Sequence, residues 1–293
     1  GLDARPAPRE EETAMPAPNQ SERDFWNAAP GRLWADRQAL LDRLQSNVLA
    51  RLMDAARPAP GEAVLDIGCG AGSTTLAAAR AVGPEGRVLG LDISVPRAAR
   101  ARETLAGTPN AGIALLDIQS DRPDAPPFDL CLSRFGVMFF DDPVTAFANI
   151  RAALRPGGRL ACATWAEAAR NPWFALPRAA ATDRLGTPPQ GDPDAPGPLA
   201  FRDPARVRRI LGAAGWTGVS VTPEDTTLPL ADLDEATALA AGIGPIPGMM
   251  RAMDGTDTDR AAILDTLRAA LGPYAGPDGL RIPATINIVT ATA

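Results

Sequence analysis

The strongest constraint on the fold is a glycine-rich turn that follows a short apolar segment. Residues 63–72 read AVLDIGCGAG, an apolar run with one acid inside it and three glycines at alternate positions. The next residues, STTLAAAR, favour a helix. Glycines let the backbone turn sharply and approach a ligand, and the N-terminus of a following helix offers free N–H groups with a partial positive charge. The segment therefore predicts a strand, a ligand-binding turn and a helix.

The spacing of these glycines separates two kinds of ligand. A dinucleotide-binding turn has the pattern G-x-G-x-x-G, but here its sixth position is Ser73, and Asp66 stands two residues before Gly68. The pattern Asp-x-Gly-x-Gly-x-Gly resembles motif I of the class I S-adenosylmethionine-dependent methyltransferases. In that family the acid holds the amino group of the methionine moiety, directly or through water, and the turn wraps the cofactor. A NAD-binding Rossmann domain and an ordinary strand-to-helix turn remain the alternatives.

Two further acids end the next two apolar runs. The second run ends in Asp92 and Ile93, and the third ends in Asp117 and Ile118. An acid at the end of the second parallel strand can accept hydrogen bonds from both ribose hydroxyls. By the resemblance, Asp92 is the motif II acid, whereas Asp117 faces the adenine amino group with Ile118 beside the ring. The alternative for Asp92 is a solvated loop aspartate.

The next part of the chain continues the resemblance. Residues 128–135 predict a fourth strand, and its end, from Arg134 through Phe135 to Met138, is expected near the sulfonium and its methyl group. A helix follows, and then the sequence Arg-Pro-Gly-Gly-Arg-Leu at 155–160 leads into a fifth strand. This order of helix, Pro-Gly-Gly turn and strand is similar to that of the methyltransferase family.

The resemblance covers residues 60–165 and implies an α/β, Rossmann-like fold. It implies a seven-stranded, mostly parallel sheet with helices on both faces and a last strand that is antiparallel, between the fifth and sixth. The predicted organisation is a disordered tail over 1–20, a helical cap over 21–58 and a methyltransferase domain over 59–293, with a cofactor-binding core at 60–165 and lid or acceptor segments at about 166–200 and 223–278.

The predicted site falls into two sets. The predicted cofactor contacts are Asp66, Gly68, Cys69, Gly70, Gly72, Asp92, Ile93, Asp117, Ile118, Arg134 and Phe135. The predicted acceptor contacts are Trp26, Trp34, Met138, Met249 and Met250. Core packing is the alternative for the tryptophans, and a structural loop is the alternative for residues 242–250. The sequence identifies no catalytic residue, and the candidates are Arg134, Tyr274 and Asp141.

Composition excludes several kinds of chemistry. The 293 residues contain no histidine, which removes Ser-His and Cys-His nucleophiles and most zinc sites, and no metal is predicted. Three cysteines without a CxxC pair are interpreted as core residues in a reducing compartment, and their pattern does not suit arsenite methylation. A net charge of −6 without lysine disfavours nucleic acid. No membrane span or signal peptide is visible, so a cytoplasmic protein is expected.

These observations predict an S-adenosylmethionine-dependent methyltransferase that acts on a small-molecule metabolite by in-line transfer. Without histidine, any base is a carboxylate, Tyr274 or water, which favours an S, N or acidic O acceptor. The alternative is an S-adenosylmethionine-binding regulatory or scaffold protein without methyl transfer. Neither a nucleic-acid nor a membrane partner is expected, and the sequence leaves a homodimer open.

Overall fold

The computed structural model describes residues 17–293, so most of the predicted tail, residues 1–16, lies outside the described part of the chain. The predicted tail boundary at residue 20 is wrong, because Asn19 is 2% exposed and Gln20 already begins the first helix. Asn19 is held by hydrogen bonds to residues far along the chain, and these contacts fix the start of the cap.

The predicted helical cap consists of four short helices. They are α1 (Gln20–Asn27), α2 (Ala29–Asp36), α3 (Gln38–Leu44) and α4 (Ser46–Ala56). The chain bends at Ala28, whose backbone is extended, and not at Gly31, which lies inside α2. A Cβ on Gly31 would lie 1.7 Å from the carbonyl oxygen of Trp26. This glycine is therefore needed for the close crossing of α1 and α2.

The core alternates strands and helices as the sequence predicts. Its elements are β1 (Ala63–Ile67), α5 (Ser73–Val82), β2 (Arg87–Asp92), α6 (Val95–Thr104), β3 (Ala111–Leu115), β4 (Phe128–Arg134), α7 (Pro143–Ala153) and β5 (Leu154–Trp165). The hydroxyl of Ser94 caps α6, and the carboxylate of Asp142 caps α7. Every residue of β1 is buried, as expected for a central strand that is covered on both faces.

The second half of the chain departs most from the predicted elements. It contains α8 (Pro172–Leu185), α9 (Pro204–Ala213), β6 (Thr217–Leu230), α10 (Leu233–Ala240), α11 (Pro245–Ala252), α12 (Asp257–Leu271), β7 (Ala275–Gly276) and β8 (Gly279–Thr292). The strand β6 is 14 residues long, and Pro223 and Pro229 pair with β8 inside it. Proline is tolerated there because β6 is an edge strand.

The sheet has the order β3-β2-β1-β4-β5-β8-β6, and the two-residue strand β7 pairs with β8. The strands from β3 to β5 are parallel, while β8 runs antiparallel to both β5 and β6. The predicted Rossmann-like fold and the inserted antiparallel strand are confirmed, with the short β7 as an eighth strand. In this arrangement the carboxyl ends of β1, β2, β3 and β4 share one edge. Within residues 17–293, no helix is both long and apolar enough to cross a membrane.

Candidate functional site

A cavity of about 580 Å³ lies at the carboxyl ends of the parallel strands, where open α/β sheets bind their ligands. Its volume is within the usual range for small-molecule sites. Most of the predicted site residues line it: Trp26, Trp34, Gly68, Cys69, Asp92, Ile93, Asp117, Ile118, Arg134, Phe135 and Met138. The fold therefore brings residues from the cap and from four strand ends to one cavity.

The glycine turn after β1 forms part of the cavity wall. Gly68 has a φ of +64°, in the left-handed region, and a Cβ on it would lie 2.6 Å from the Cα of Gly136. Its partner segment, after β4, contains Phe135 at a φ of +62°. A non-glycine residue in this conformation costs about 1–2 kcal/mol, and such strain is concentrated at functional sites. The two turns thus approach each other in a manner that the sequence alone does not show.

Asp92 connects the glycine turn to the cavity. One carboxylate oxygen accepts a hydrogen bond from the Gly70 N–H at 2.7 Å, and the other accepts from the Ser94 N–H at 2.8 Å. The residue is 6% exposed and lines the cavity. Because a carboxylate offers about four lone-pair sites, two acceptor positions remain for a ligand. This is the acceptor capacity that a ribose diol requires.

The family follows from the sequence of this core. Residues 64–158 match the family model described as a methyltransferase domain. Residues 64–158 are therefore a methyltransferase domain, the kind of domain that the class I methyltransferases share. Their cofactor is S-adenosylmethionine, and the predictions of family and cofactor are confirmed.

Two named relatives agree with this assignment, and one solved structure shares the fold. The chain is 39% identical to aklanonic acid methyltransferase of a Streptomyces species over 38% of its length and 51% of that protein's. It is 36% identical to nocamycin O-methyltransferase of Saccharothrix syringae over 39% and 41% of the two lengths. The chain thus spans about half the length of the curated relatives it matches.

The solved structure is phosphoethanolamine N-methyltransferase 2 of Haemonchus contortus in complex with S-adenosyl-L-methionine. The two share 16% sequence identity with a TM-score of 0.55, over 92% of this chain and 59% of that one. At this identity the similarity establishes the fold alone.

The groups around the cavity fit the cofactor of a class I methyltransferase. Arg134 donates to the hydroxyl of Ser73 through Nη2 at 2.6 Å, while its Nη1 is buried and has no partner within residues 17–293. The Nε of Arg97 is likewise buried without a partner in the same part of the chain. Two guanidinium groups with unused donors provide the positive charge that the carboxylate of the methionine moiety needs.

Arg134 lies in a cluster of opposite charges behind the glycine turn. Burial lowers the pKa of Arg134, whereas the carboxylates of Asp42 and Asp66 raise it. Burial also raises the pKa of Asp66 to about 7, opposed by the Thr75 hydroxyl, which donates to Asp66 Oδ2 at 2.7 Å, and by Arg134. The other oxygen of Asp66 has no partner among the described residues. The cluster therefore contains unused donors and an unused acceptor, as a zwitterionic ligand requires.

Three predicted cofactor residues do not line the cavity but support residues or elements that do. Asp66 is fully buried and does not line the cavity. Gly70 contributes its N–H to Asp92, and a Cβ on it would lie 2.1 Å from Arg97 Nη2. Gly72 caps α5 with a φ of +88° and packs against α6. Their roles in this structure are indirect, because each holds an element that does reach the cavity.

The predicted methionine contacts are wrong in detail. Residues 245–252 form α11 instead of a loop, and this helix turns Met249 and Met250 into the hydrophobic core, where they are 6% and 5% exposed. The cavity is lined instead by residues 242–245, by Pro247 and Gly248, and by Arg251. The segment therefore does form a wall, but its methionines contribute to packing.

Two predicted catalytic candidates lie outside the cavity wall. Tyr274 follows α12 and packs at the edge of the hydrophobic core. The carboxylate of Asp141 accepts a hydrogen bond from the N–H of Asn19 at 2.6 Å. Neither residue lines the cavity, so the geometry supports no catalytic role for them. Of the predicted candidates, Arg134 alone lies in the wall.

Sequence reasoning missed a polar stripe on the cap. Gln38, Asp42 and Gln45 follow one another at intervals of four and three residues along α3 and its end, and all three line the cavity. This is the spacing of one helical face. The sequence does contain a signal for this stripe. The three polar residues recur at helical spacing, next to the apolar residues that pack against the core.

An aromatic wall also went unpredicted. Phe135 stacks on Trp165 with ring centroids 4.2 Å apart and an interplanar angle of 9°. Trp165 in turn meets Phe174 edge to face at 5.1 Å, and Trp173 lines the cavity next to it. Phe135 follows β4, Trp165 ends β5, and Trp173 and Phe174 lie at the start of α8, so only the tertiary fold places them together. They give the half of the cavity away from Asp92 an apolar, flat surface.

The three cysteines are buried, as expected; Cys131 and Cys162 lie in the hydrophobic core, whereas Cys69 also lines the cavity. Cys69, Cys131 and Cys162 are buried and unpaired, and burial raises the pKa of each thiol. None of them is therefore a thiolate at neutral pH. Within the described residues, no group of His, Cys, Asp or Glu side chains is arranged to hold a metal ion.

Proposed function

We propose that this protein transfers a methyl group from S-adenosylmethionine to a small-molecule acceptor. One observation carries the proposal: a single cavity combines a cofactor half, with Gly68 and Asp92, and an aromatic half, with Phe135, Trp165 and Phe174. The first half offers backbone and carboxylate groups, and the second offers flat apolar side chains. A shared cavity is what direct transfer between two small molecules requires.

Each group of the cofactor half has a proposed partner. Asp92 accepts hydrogen bonds from the ribose hydroxyls, and Asp117 and Ile118 bind the adenine ring. Arg134 pairs with the carboxylate of the methionine moiety, and Asp66 attracts its ammonium group from behind the turn. Hydrogen bonding within the wall supports this assignment. Asp92 uses two of its acceptor positions for the Gly70 and Ser94 N–H groups, and Arg134 Nη1 has no partner within residues 17–293, so both side chains can still bind a ligand.

S-adenosylmethionine supplies an electrophilic methyl group on a sulfonium. The protein contributes alignment, which in intramolecular reactions lowers a barrier by up to about 7–11 kcal/mol. Phe135 is suited to alignment because its backbone bonds to Ala163 and its ring is fixed against Trp165. Trp26, which is 7% exposed, covers the opening from the cap and excludes water.

We propose a flat acceptor with an acidic hydroxyl group. The stacked Phe135 and Trp165 rings and the edge of Phe174 match a planar apolar molecule. The one carboxylate that the cap adds to the wall in the described part of the chain is Asp42, whose Oδ1 has no hydrogen-bond partner and lies 3.7 Å from Arg134 Nη2 in an ion pair. A carboxylate base suits an acidic hydroxyl better than an ordinary alcohol. The names of aklanonic acid methyltransferase and nocamycin O-methyltransferase support this choice, with S and N acceptors as the alternatives.

The test is a transfer assay with methyl-labelled S-adenosylmethionine. Purified protein is incubated with panels of phenols and enols, carboxylic acids, thiols and amines, and label in the acceptor is detected by mass spectrometry. We expect label on a planar phenol or enol, and no label with the variant Asp92→Ala. Transfer to an amine or a thiol would change the acceptor class. Tight cofactor binding without transfer to any panel or to a metabolite extract would favour a regulatory or scaffold protein.

Location and assembly complete the proposal. We expect a cytoplasmic protein that binds neither nucleic acid nor membranes, in keeping with its net charge of −6. A homodimer remains open, and sedimentation of the purified chain would decide it.

A further inference from the structure

Asn19 occupies the place where the adenine amino group is expected. Its backbone is left-handed, its side chain is buried, and it lines the cavity just before α1. The Nδ2 group donates to both carboxylate oxygens of Asp117, at 3.0 and 2.9 Å. The N–H of Asn19 donates to Asp141, and its Oδ1 accepts from the N–H of Asp141 at 2.8 Å. Asn19 is therefore held at four points.

These contacts use the hydrogen-bonding capacity of Asp117. In addition to the two bonds from Asn19, its carboxylate accepts from the Gln119 N–H at 3.0 Å and from Arg23 Nη2 at 3.3 Å. A carboxylate has about four lone-pair sites, so all of them are taken. Adenine can bond to Asp117 only if one of these donors leaves.

Asn19 is the donor that resembles adenine. A carboxamide presents an NH₂ donor beside an oxygen acceptor, and the edge of adenine presents its amino group beside a ring nitrogen acceptor. Gln119 donates through its backbone and Arg23 at the longest of the four distances. The amide of Asn19 alone offers the donor and acceptor pair that a bound adenine would replace.

We propose that Asn19 is an internal competitor of the cofactor's adenine and so determines cofactor affinity. Its carboxamide occupies Asp117 in the free protein and leaves when the adenine amino group arrives. Because part of the binding energy is used to displace it, the apparent affinity of the wild-type protein is lower than that of a protein without the contact. The inference rests on the proposed function only in taking S-adenosylmethionine as the ligand.

A second role for Asn19 makes the opposite prediction. Asn19 begins the helix that carries Trp26 over the cavity. If Asn19 only anchored this covering helix, its removal would loosen the cover and weaken cofactor binding. If it competes with adenine, its removal strengthens binding. The direction of the change therefore separates the two roles.

The experiment is calorimetric titration of the whole chain with S-adenosylhomocysteine. We expect the variant Asn19→Ala to bind about tenfold more tightly than the wild type, within the usual range for coupling between two binding events. Asp141→Ala removes one of the bonds that hold Asn19 without changing Asp117, and it should shift affinity in the same direction by a smaller factor. The matched control is Asp24→Ala, an exposed change on α1 whose side chain bonds only to Gln20.

A second ligand tests the chemistry of the competition. An analogue of S-adenosylhomocysteine without the 6-amino group does not need Asp117, so Asn19→Ala should leave its dissociation constant unchanged within about twofold. Equal tightening for both ligands, or weaker binding of S-adenosylhomocysteine by Asn19→Ala and Asp141→Ala, would overturn the inference while leaving the proposed cofactor in place. Failure of the wild type and all variants to bind S-adenosylhomocysteine would overturn the proposed cofactor itself, and this inference with it.

Discussion

Gly68 and Gly136 approach each other so closely that neither has room for a side chain. A Cβ on Gly68 would lie 2.6 Å from the Cα of Gly136, and a Cβ on Gly136 would lie 2.4 Å from the carbonyl oxygen of Ile67. The ends of β1 and β4 therefore meet backbone to backbone. This contact places the glycine turn beside Phe135, and so joins the cofactor half of the cavity to the aromatic half.

The contact predicts a difference between two glycine substitutions. Gly136 has a φ of −83°, so Gly136→Ala adds only the clash, and we expect it to lower the free energy of unfolding by about 1–3 kcal/mol. Gly68→Ala adds left-handed strain of about 1–2 kcal/mol and should destabilise more. Urea unfolding measures both, with Gly112→Ala as the control, because nothing lies within 4 Å of a Cβ there. Equal stability of all three variants would show that the turns do not meet in this way.

The buried carboxyl of Asp66 predicts a pH dependence of stability. Its pKa in the folded protein is about 7, against 3.8 ordinarily, so the folded state binds the proton more tightly than the unfolded state does. The contribution is therefore largest below about pH 4, declines by up to about 1.4 kcal/mol per pH unit, and is lost above about pH 7.

Urea unfolding between pH 5 and pH 8 tests this contribution. Asp66→Asn should have a shallower decline than the wild type. A part of the decline should remain, since burial also raises the pKa of Glu22 to about 7. The control is Asp54→Asn, on the exposed side of α4. Parallel curves for Asp66→Asn and the wild type would contradict the shifted pKa.

The packing of α11 predicts that one methionine affects stability without affecting the ligand. Met249 is 6% exposed and lies outside the cavity wall, so Met249→Ala should lower the free energy of unfolding by about 2–5 kcal/mol. The dissociation constant of the Met249→Ala variant for S-adenosylhomocysteine should stay within about twofold of the wild-type value. The contrasting variant is Trp34→Ala, because Trp34 lines the cavity and packs under the guanidinium of Arg97 at 5.4 Å. A larger affinity loss in Met249→Ala than in Trp34→Ala would place Met249 in the wall after all.

Local patterns were sufficient to predict the core of the fold. The alternation of apolar runs and helices from β1 to β5 depends on short-range features, such as the glycine turn at 68–72 and the acid that ends β2. The position of Asp92 in the cavity wall is predictable because the residue ends a parallel strand. The family's order of elements then gave the antiparallel position of β8 between β5 and β6, which no local pattern in the chain specifies.

The predictions failed where tertiary contacts override local patterns. The full length of β6 is not predictable from local sequence, because Pro223 and Pro229 argue against a strand unless it lies at the edge of a sheet. The buried position of Asn19 depends on Asp117 and Asp141, which are about one hundred residues away in the chain. Met249 lies on the buried side of α11, whereas the glycines and prolines near it predict a loop. Each of these features is determined by what the segment packs against.

The most direct measurement of the central claim is calorimetric titration of Asp92 variants with S-adenosylhomocysteine and with NADH. We expect the wild type to bind S-adenosylhomocysteine and Asp92→Ala to lose about 1.5–3 kcal/mol of binding free energy, as for hydrogen bonds to a charged acceptor. Asp124→Ala, an exposed change, should match the wild type, and none of the three should bind NADH. Tight binding of NADH by the wild type, without a response to S-adenosylhomocysteine, would contradict the account.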